Sequence, residues 1–229
     1  MFMAERAPDS AGLPGWGLAL GGGIAALLIA SSGFRSDRTW LRRVVDFPRV
    51  LSTIVHEAGH ALICFLTGRD VKSIDIDSPD TGATKHADGP WFSSILVAFA
   101  GYAAPPLAGL GVATLIDGGR ARTALIITVV VMALVLTKSH GFLTGAYVVA
   151  IGFVAFAVVY WGSTGLQLWM AYAEAWLLLL SEIVGLRGFK AGDATVLARK
   201  TLIPGTVWIL AWLALNGWAL WVAAPLLWP

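Results

Sequence analysis

The sequence predicts an all-α membrane protein, a polytopic bundle of six or seven transmembrane helices. Of its 229 residues, 57% are hydrophobic and only 13% are charged, whereas a soluble domain carries about 25% charged residues. The mean hydropathy is +0.75, so too few polar side chains are present to cover a surface that faces water. The eleven tryptophans also fit a protein with many membrane–water interfaces, where tryptophan is enriched.

Apolar runs mark the predicted spans, because a helix that crosses the bilayer needs about 20 apolar residues. They lie at residues 16–32, 50–67, 91–116, 121–137, 142–161, 166–184 and 204–227. The run at 121–137 is short and the run at 142–161 contains glycines, so one of them could be re-entrant, or two runs could merge, which leaves six or seven spans. No repeat or soluble segment separates the runs, and residues 1–229 are predicted to form one membrane-embedded domain.

The segments between the runs predict the topology. Residues 33–49 hold five arginines, which by the positive-inside rule places this segment in the cytoplasm. The acidic loop at 68–90 is then outside, and its alternating stretch Val71–Ile76 predicts a short β element. Residues 185–202 give conflicting signals, because strict alternation places them outside whereas their basic residues favour the cytoplasm.

The residues that point to chemistry are His56, Glu57 and His60, a His-Glu-x-x-His pattern on a predicted helix. Residues i and i+4 lie on one helix face, so both imidazoles can reach one zinc ion at about 2.0–2.1 Å. Glu57 is rotated by about 100° from His56, which suits a general base acting on a zinc-activated water. Net charge of only +2 gives no indication of a nucleic-acid partner.

The setting of this pattern strengthens the zinc interpretation. Ionisable groups inside a membrane helix are costly and are usually functional, and a metal ion would compensate for them. The alternative is that the three side chains extend to the interface at the end of the helix near Arg49. Gly59, beside His60, predicts the close approach of another helix or of a substrate, or ordinary packing between small residues.

Several segments resemble one known family, the small B-type branch of the site-2-protease-like membrane metallopeptidases. The resemblance covers roughly residues 51–208 and is carried by STIVHEAGHA from Ser52, LTGR from Leu66, GAT from Gly82, AGYAAPPLAG from Ala100 and GDATVLARKTLIP from Gly192. It implies zinc held by His56 and His60, Glu57 as catalytic acid and base, and a substrate segment that spans or adjoins the membrane.

A catalytic zinc site usually has three protein ligands, and two aspartates are candidates for the third. Asp193 lies in the block that resembles this branch, and we predict it as the ligand. The alternative is Asp117, in LIDGGR, which is similar to the Leu-Asp-Gly motif of typical site-2 proteases. An aspartate that is not the ligand would have an ordinary structural role instead: Asp193 would cap a helix, and Asp117 would lie in a turn.

Two further carboxylates, Glu174 and Glu182, fall within the predicted span at 166–184. They could line a water path to the zinc. The alternative, which we favour, is that they pair with Gln167 or with the basic segment that begins at Arg187.

The sequence thus predicts a zinc metalloprotease of the bilayer, in a bacterial cell membrane, with its active site toward the cytoplasm and a membrane protein or peptide as substrate. An unwound substrate could add as a strand to the edge of Val71–Ile76. The main alternative is an inactive scaffold, a pseudoprotease that retains the motif. A cation transporter and a zinc hydrolase that acts on lipid are further alternatives.

Overall fold

The computed structural model describes residues 22–24, 39–186 and 192–228. These ranges are mostly helical, as predicted, with one two-stranded antiparallel sheet. In chain order the elements are α1 (Thr39–Leu66), β1 (Val71–Ser78), β2 (Thr81–His86), α2 (Trp91–Asp117), α3 (Ala121–Leu136), α4 (Phe142–Trp161), α5 (Thr164–Gly185), α6 (Gly192–Thr201) and α7 (Gly205–Leu226).

Three of the described helices, α2, α4 and α7, are long and apolar enough to cross a membrane, and α3 is an apolar helix of 16 residues. The other long helices, α1 and α5, carry polar and charged side chains, and they contribute to the site described below. The predicted total of six or seven spans therefore remains a prediction. Most of the first predicted run, 16–32, lies outside the described residues, although Gly22 and Gly23 lie against Tyr172 and Trp176 of α5.

Helix α1 begins earlier than predicted. The segment 33–49 was expected to be a loop, but the helix is already formed at Thr39 and continues through Pro48. Apolar residues recur at helical spacing through this segment, at Trp40, Leu41, Val44 and Val45, and this period favours a helix that runs into the apolar run beginning at residue 50. Residues 33–38 lie outside the described part of the chain.

The predicted β element is present and forms a hairpin. Strand β1 pairs with β2, with Ile74 opposite Thr84 and Ile76 opposite Gly82. Its apolar side chains, Val71, Ile74 and Ile76, are buried in a core that also contains Ile54 and Val97. Strand β2 was not predicted, because its sequence TGATKH lacks alternating apolar residues.

The hairpin folds back along α1. At its turn, Thr53 donates a hydrogen bond of 2.5 Å to the carbonyl of Pro79, and Arg49 forms an ion pair with Asp80. At its base, Arg69 donates to the carbonyl of Ala87. Strand β2 is therefore held beside the His-Glu-x-x-His face of α1.

The outer edge of β1 is occupied. The amide of Ile74 donates to the carbonyl of Lys138 (2.8 Å), and the Ile74 carbonyl accepts from the amide of His140 (2.9 Å). The amide of Ile76 donates to Thr144 Oγ1 at 2.8 Å. The expectation that Val71–Ile76 offers a free edge for a substrate strand is therefore wrong, because the α3–α4 connection already fills that edge.

Helices α1 and α2 pack closely at Gly59. A Cβ atom at this position would lie 2.6 Å from Ala104 Cβ and 2.8 Å from the carbonyl oxygen of Ala100. The close approach predicted at Gly59 is thus made by a helix, α2. This contact sets α2 directly against the two histidines.

Residues 185–202, expected to be a loop unless Asp193 capped a helix, contain helix α6. Its side chains Ala194 and Leu197 are buried with Ala98 and Trp212, and the Trp91 indole donates to the carbonyl of Lys200 at 2.6 Å. Helix α6 therefore lies at the end of the bundle where α2 begins. This position agrees with strict alternation, which puts residues 185–202 and 68–90 on the same side.

Candidate metal centre

Three ligand atoms from two distant parts of the chain converge between α1 and α6. His56 Nε2 lies 3.3 Å and His60 Nε2 lies 3.4 Å from Asp193 Oδ2. The histidines are one turn apart on α1, as their spacing requires, and Asp193 stands in the first turn of α6. The structure thus brings His56, His60 and Asp193 together, and their ligand atoms all lie within 4.8 Å of one another.

These distances fit a zinc ion. A tetrahedral site with bonds of 2.0–2.1 Å has ligand atoms separated by about 3.3–3.4 Å. The donor set, two imidazole nitrogens and one carboxylate oxygen, belongs to the ligands that zinc takes in catalytic sites. The fourth position of such a site is left for water or substrate.

Each histidine presents Nε2 to the centre, and its other ring nitrogen points away. His60 Nδ1 donates to the carbonyl of Val97 at 2.7 Å, which assigns the ring proton to Nδ1 and leaves the lone pair of Nε2 for a metal. His56 Nδ1 faces the carboxylate of Glu182 at 3.9 Å. The edge of the Tyr102 ring also packs on His56, with ring centroids 4.5 Å apart.

Gly101 of α2 stands directly opposite the two histidines. A Cβ atom there would lie 2.5 Å from Nε2 of both His56 and His60. Because real Cβ contacts are never this short, any larger residue would displace the imidazoles from their present positions. The space in front of both nitrogens therefore depends on this glycine.

The charge on Asp193 suits a metal ligand. Burial raises the pKa of its carboxyl, but hydrogen bonds and positive charge from the protonated forms of His56 and His60, which stand where a cation would, outweigh burial and hold that pKa well below its usual range. The side chain is therefore ionised, the form in which a carboxylate binds metal.

Glu57 lies beside these ligands with its carboxylate held against the hairpin. Thr84 of β2 donates a hydrogen bond of 2.7 Å to Glu57 Oε2. A Cβ at Gly82 would come within 2.8 Å of the other oxygen, Oε1. The glycine thus leaves room for Oε1, while the threonine anchors Oε2.

A cleft of about 900 Å³ contains the three ligands and Glu57. Helix α1 and the beginning of α2 line it together with strand β2, which forms one wall, and with α6 and the end of α5, which form another. Arg49 and Asp80 line one end of the cleft, and Lys200 of α6 also lies on its lining. The cleft is large enough to take an extended peptide segment, since ligand sites commonly occupy about 300–1,000 Å³.

Asp117, the alternative third ligand, is not part of this group. It is exposed at the last residue of α2. Gly101, which faces the histidines, lies 16 positions earlier on the same helix, a rise of about 24 Å at 1.5 Å per residue.

Glu174 and Glu182 have different surroundings from each other, and only Glu182 lines the cleft. Glu182 accepts from Ser52 and faces His56, whereas Glu174 accepts from Thr128 of α3. Gln167 donates instead to the carbonyls at the end of α4, those of Val158, Val159 and Gly162. The predicted pairing with Gln167 is therefore wrong, and Arg187 lies outside the described residues.

Residues that support the site were not singled out from the sequence, notably Thr84, Gly101 and the carbonyl of Val97. The first two lie in the GAT and AGYAAPPLAG blocks that carry the family resemblance. These blocks are the part of the sequence that could have pointed to Thr84 and Gly101. The roles of the two residues follow only from the packing of β2 and α2 on α1.

A family model described as Peptidase M50B-like matches residues 23–223. Among curated proteins and among solved structures, no match to the chain was found. The family match covers most of the chain and confirms the resemblance to site-2-protease-like peptidases. The chain belongs to the Peptidase M50B-like family.

Proposed function

We propose that this family member is an intramembrane zinc metalloprotease, which hydrolyses peptide bonds in segments that span or adjoin the membrane. The observation that carries the proposal is the convergence of His56, His60 and Asp193 beside Glu57 in one cleft. Membership of a metallopeptidase family and the apolar helices of the bundle agree with it.

His56, His60 and Asp193 would hold the zinc ion. When bound, zinc activates a water molecule at neutral pH and polarises the substrate carbonyl. Glu57 accepts the proton of the attacking water on Oε1 and then delivers it to the nitrogen of the leaving amine. Thr84 keeps Oε2 fixed, so Oε1, which lies next to Gly82 on the lining of the cleft, is the oxygen left to take the proton.

A substrate helix must unwind before its carbonyl can be attacked, because its amides are bonded within the helix. The unwound segment would lie along β2, whose residues Thr81–Thr84 line the cleft next to Glu57. This binding position on β2 takes the place of the one predicted on β1, whose outer edge is already bonded to the α3–α4 connection. Main-chain hydrogen bonds to β2 would hold the segment extended.

Substitution of the general base tests the proposal. We expect Glu57→Gln to retain about one zinc per chain and to lose about 10²–10⁴-fold in cleavage rate, the usual contribution of a general acid–base group. Zinc content is measured by elemental analysis and cleavage with membrane-segment peptides in detergent. His56→Ala, as the matched control, should lose both zinc and activity.

Other outcomes separate the alternatives. Wild-type protein that binds zinc but cleaves none of a broad panel of membrane segments would favour an inactive scaffold. Folded wild-type protein that binds no added zinc would rule out the proposed metalloprotease.

We also propose that the chain resides in the bacterial cell membrane, with the Arg49 end of the cleft toward the cytoplasm. The arginines of residues 33–49 support this orientation through the positive-inside rule. Arg120 lies where α2 ends, and Lys200 lies where α2 begins. The only cysteine, Cys64, is fully buried, so single cysteines at exposed positions can be labelled selectively.

We expect Arg120→Cys to react with an impermeant maleimide in inverted vesicles and Lys200→Cys to react in right-side-out vesicles. The opposite pattern would reverse the proposed orientation. Labelling of both positions from one side would contradict the strict alternation of the helices.

A further inference from the structure

Glu182 is a buried carboxylate on α5 that faces a candidate metal ligand. Its Oε1 lies 3.9 Å from His56 Nδ1, and the residue is only 8% exposed. We propose that Glu182 positions His56 for metal binding by accepting a hydrogen bond from Nδ1. This inference rests on the proposed zinc site and adds to it a group that does not touch the metal.

The two ring nitrogens of His56 have opposite neighbours. Nε2 lies 3.3 Å from Asp193 Oδ2, whereas Nδ1 faces Glu182. A proton on Nδ1 would leave the lone pair of Nε2 free for zinc, and a carboxylate next to that proton makes Nε2 a stronger donor. The separation of 3.9 Å must shorten by about 1 Å to reach hydrogen-bond length, which a small rotation of the ring or the carboxylate would achieve.

A chain of hydroxyl groups fixes the carboxylate. Ser52 Oγ donates to Glu182 Oε1 at 3.2 Å, and the hydroxyls of Ser52 and Ser181 are 2.6 Å apart. Each hydroxyl has one proton to donate, so Ser181 donates to Ser52 when Ser52 donates to Glu182. The carboxylate accepts only this bond among the described residues, which leaves acceptor capacity directed at His56.

The histidines thus have different supports. His60 is held by a carbonyl of the adjacent helix, that of Val97, whose position is set by the close packing of α1 on α2. No backbone carbonyl in the described structure is bonded to His56 Nδ1, and a carboxylate stands there instead. Carboxylate–histidine–zinc arrangements are a common way to orient a metal ligand.

Glu174 supplies a matched control. It lies on the same helix two turns earlier, is 9% exposed, and accepts a hydrogen bond from Thr128. It contacts neither histidine in the described structure. A general cost of replacing a buried carboxyl group on α5 should therefore appear in Glu174→Gln and Glu182→Gln alike, whereas an effect on the metal should appear only in the second.

The test measures zinc affinity directly, by competition of the purified, zinc-free proteins with a fluorescent chelator. We expect Glu182→Gln to bind zinc about 10–100-fold more weakly, as is typical when a group behind a metal ligand is removed. Glu174→Gln should stay within about threefold of wild type. The visible absorption bands of bound Co²⁺ should shift in Glu182→Gln only, since a merely structural role would not alter them.

Unchanged zinc affinity in folded Glu182→Gln, or an equal loss in Glu174→Gln, would overturn the inference while leaving the proposed protease intact. Absence of zinc binding in wild type would overturn both. If Glu182→Gln does not fold, Glu182→Asp decides, because its shorter side chain keeps the charge but withdraws it from Nδ1. Its zinc affinity should fall by about tenfold, and an unchanged affinity would refute the role of Glu182.

Discussion

The two walls of the cleft are built differently. The hairpin wall is fastened by backbone hydrogen bonds: the ladder between β1 and β2, and the bonds of Ile74 to the α3–α4 connection. The wall formed by α6 is held mainly by side chains, since Leu197 is buried in an apolar cluster and Trp91 donates to Lys200. One wall supports Glu57, the proposed general base, and the other carries Asp193, the proposed ligand.

Under the proposed function, this difference means that catalysis and metal binding have separate supports. A change in the hairpin wall should slow cleavage and leave zinc in place, because β2 contacts Glu57 through Thr84 and no hairpin residue belongs to the ligand group. A change in the α6 wall should weaken zinc binding first. The predictions that follow test this division, from the largest expected effect to the smallest.

The largest effect is expected at Asp193. Because loss of a supporting group behind a ligand already costs 10–100-fold, Asp193→Ala should weaken zinc binding by more than about 100-fold and abolish cleavage. Zinc per chain after gel filtration measures the loss. Asp117→Ala is the control, and its zinc content should equal that of wild type. Retention of zinc by Asp193→Ala would show that the metal does not depend on α6.

An intermediate effect is expected at Thr84. Thr84→Val removes the hydrogen bond to Glu57 Oε2, and a bond to a charged group contributes about 1.5–3 kcal/mol, so kcat should fall by about 10–100-fold. Zinc affinity should not change. Thr84→Ser keeps the hydroxyl and should restore most of the rate. Zinc loss in Thr84→Val would contradict the division between the two walls.

A smaller effect on the chemistry is expected at Leu197, which anchors α6 and is fully buried. Leu197→Ala should lower stability by about 2–5 kcal/mol, measured by thermal unfolding in detergent. Zinc affinity should fall, because α6, which carries Asp193, would be packed in its place for a smaller fraction of the time. Val196→Ala, on the same helix but 40% exposed, should leave both quantities close to wild type. A loss of cleavage rate with unchanged zinc affinity would count against this assignment of α6.

The sequence predicted those parts of the fold that rest on local patterns. The apolar runs mark α2, α4 and α7 to within a residue or two, and the alternation of Val71–Ile76 marks β1. Strand β2 has no such pattern, and it forms because β1 and α1 provide its partners. Helix α6 is short and polar, so its apolar residues, such as Leu197, give too weak a period to separate it from a loop.

The candidate site follows the same rule. His56, Glu57 and His60 could be grouped from the sequence because helical spacing places them together. Asp193 is separated from His60 by 133 positions, and only the packing of α6 favours it over Asp117. Glu182 stands out in the sequence as a carboxylate within an apolar run, but its neighbour depends on how α5 crosses α1, which no local pattern encodes.

The bonds that complete the outer edge of β1 also constrain the order of assembly during synthesis. Ile74 and Ile76 receive their partners from Lys138, His140 and Thr144, which leave the ribosome more than 60 residues later. The outer edge of β1 can therefore be completed only after the beginning of α4 has been made, although both strands of the hairpin are synthesised before α2.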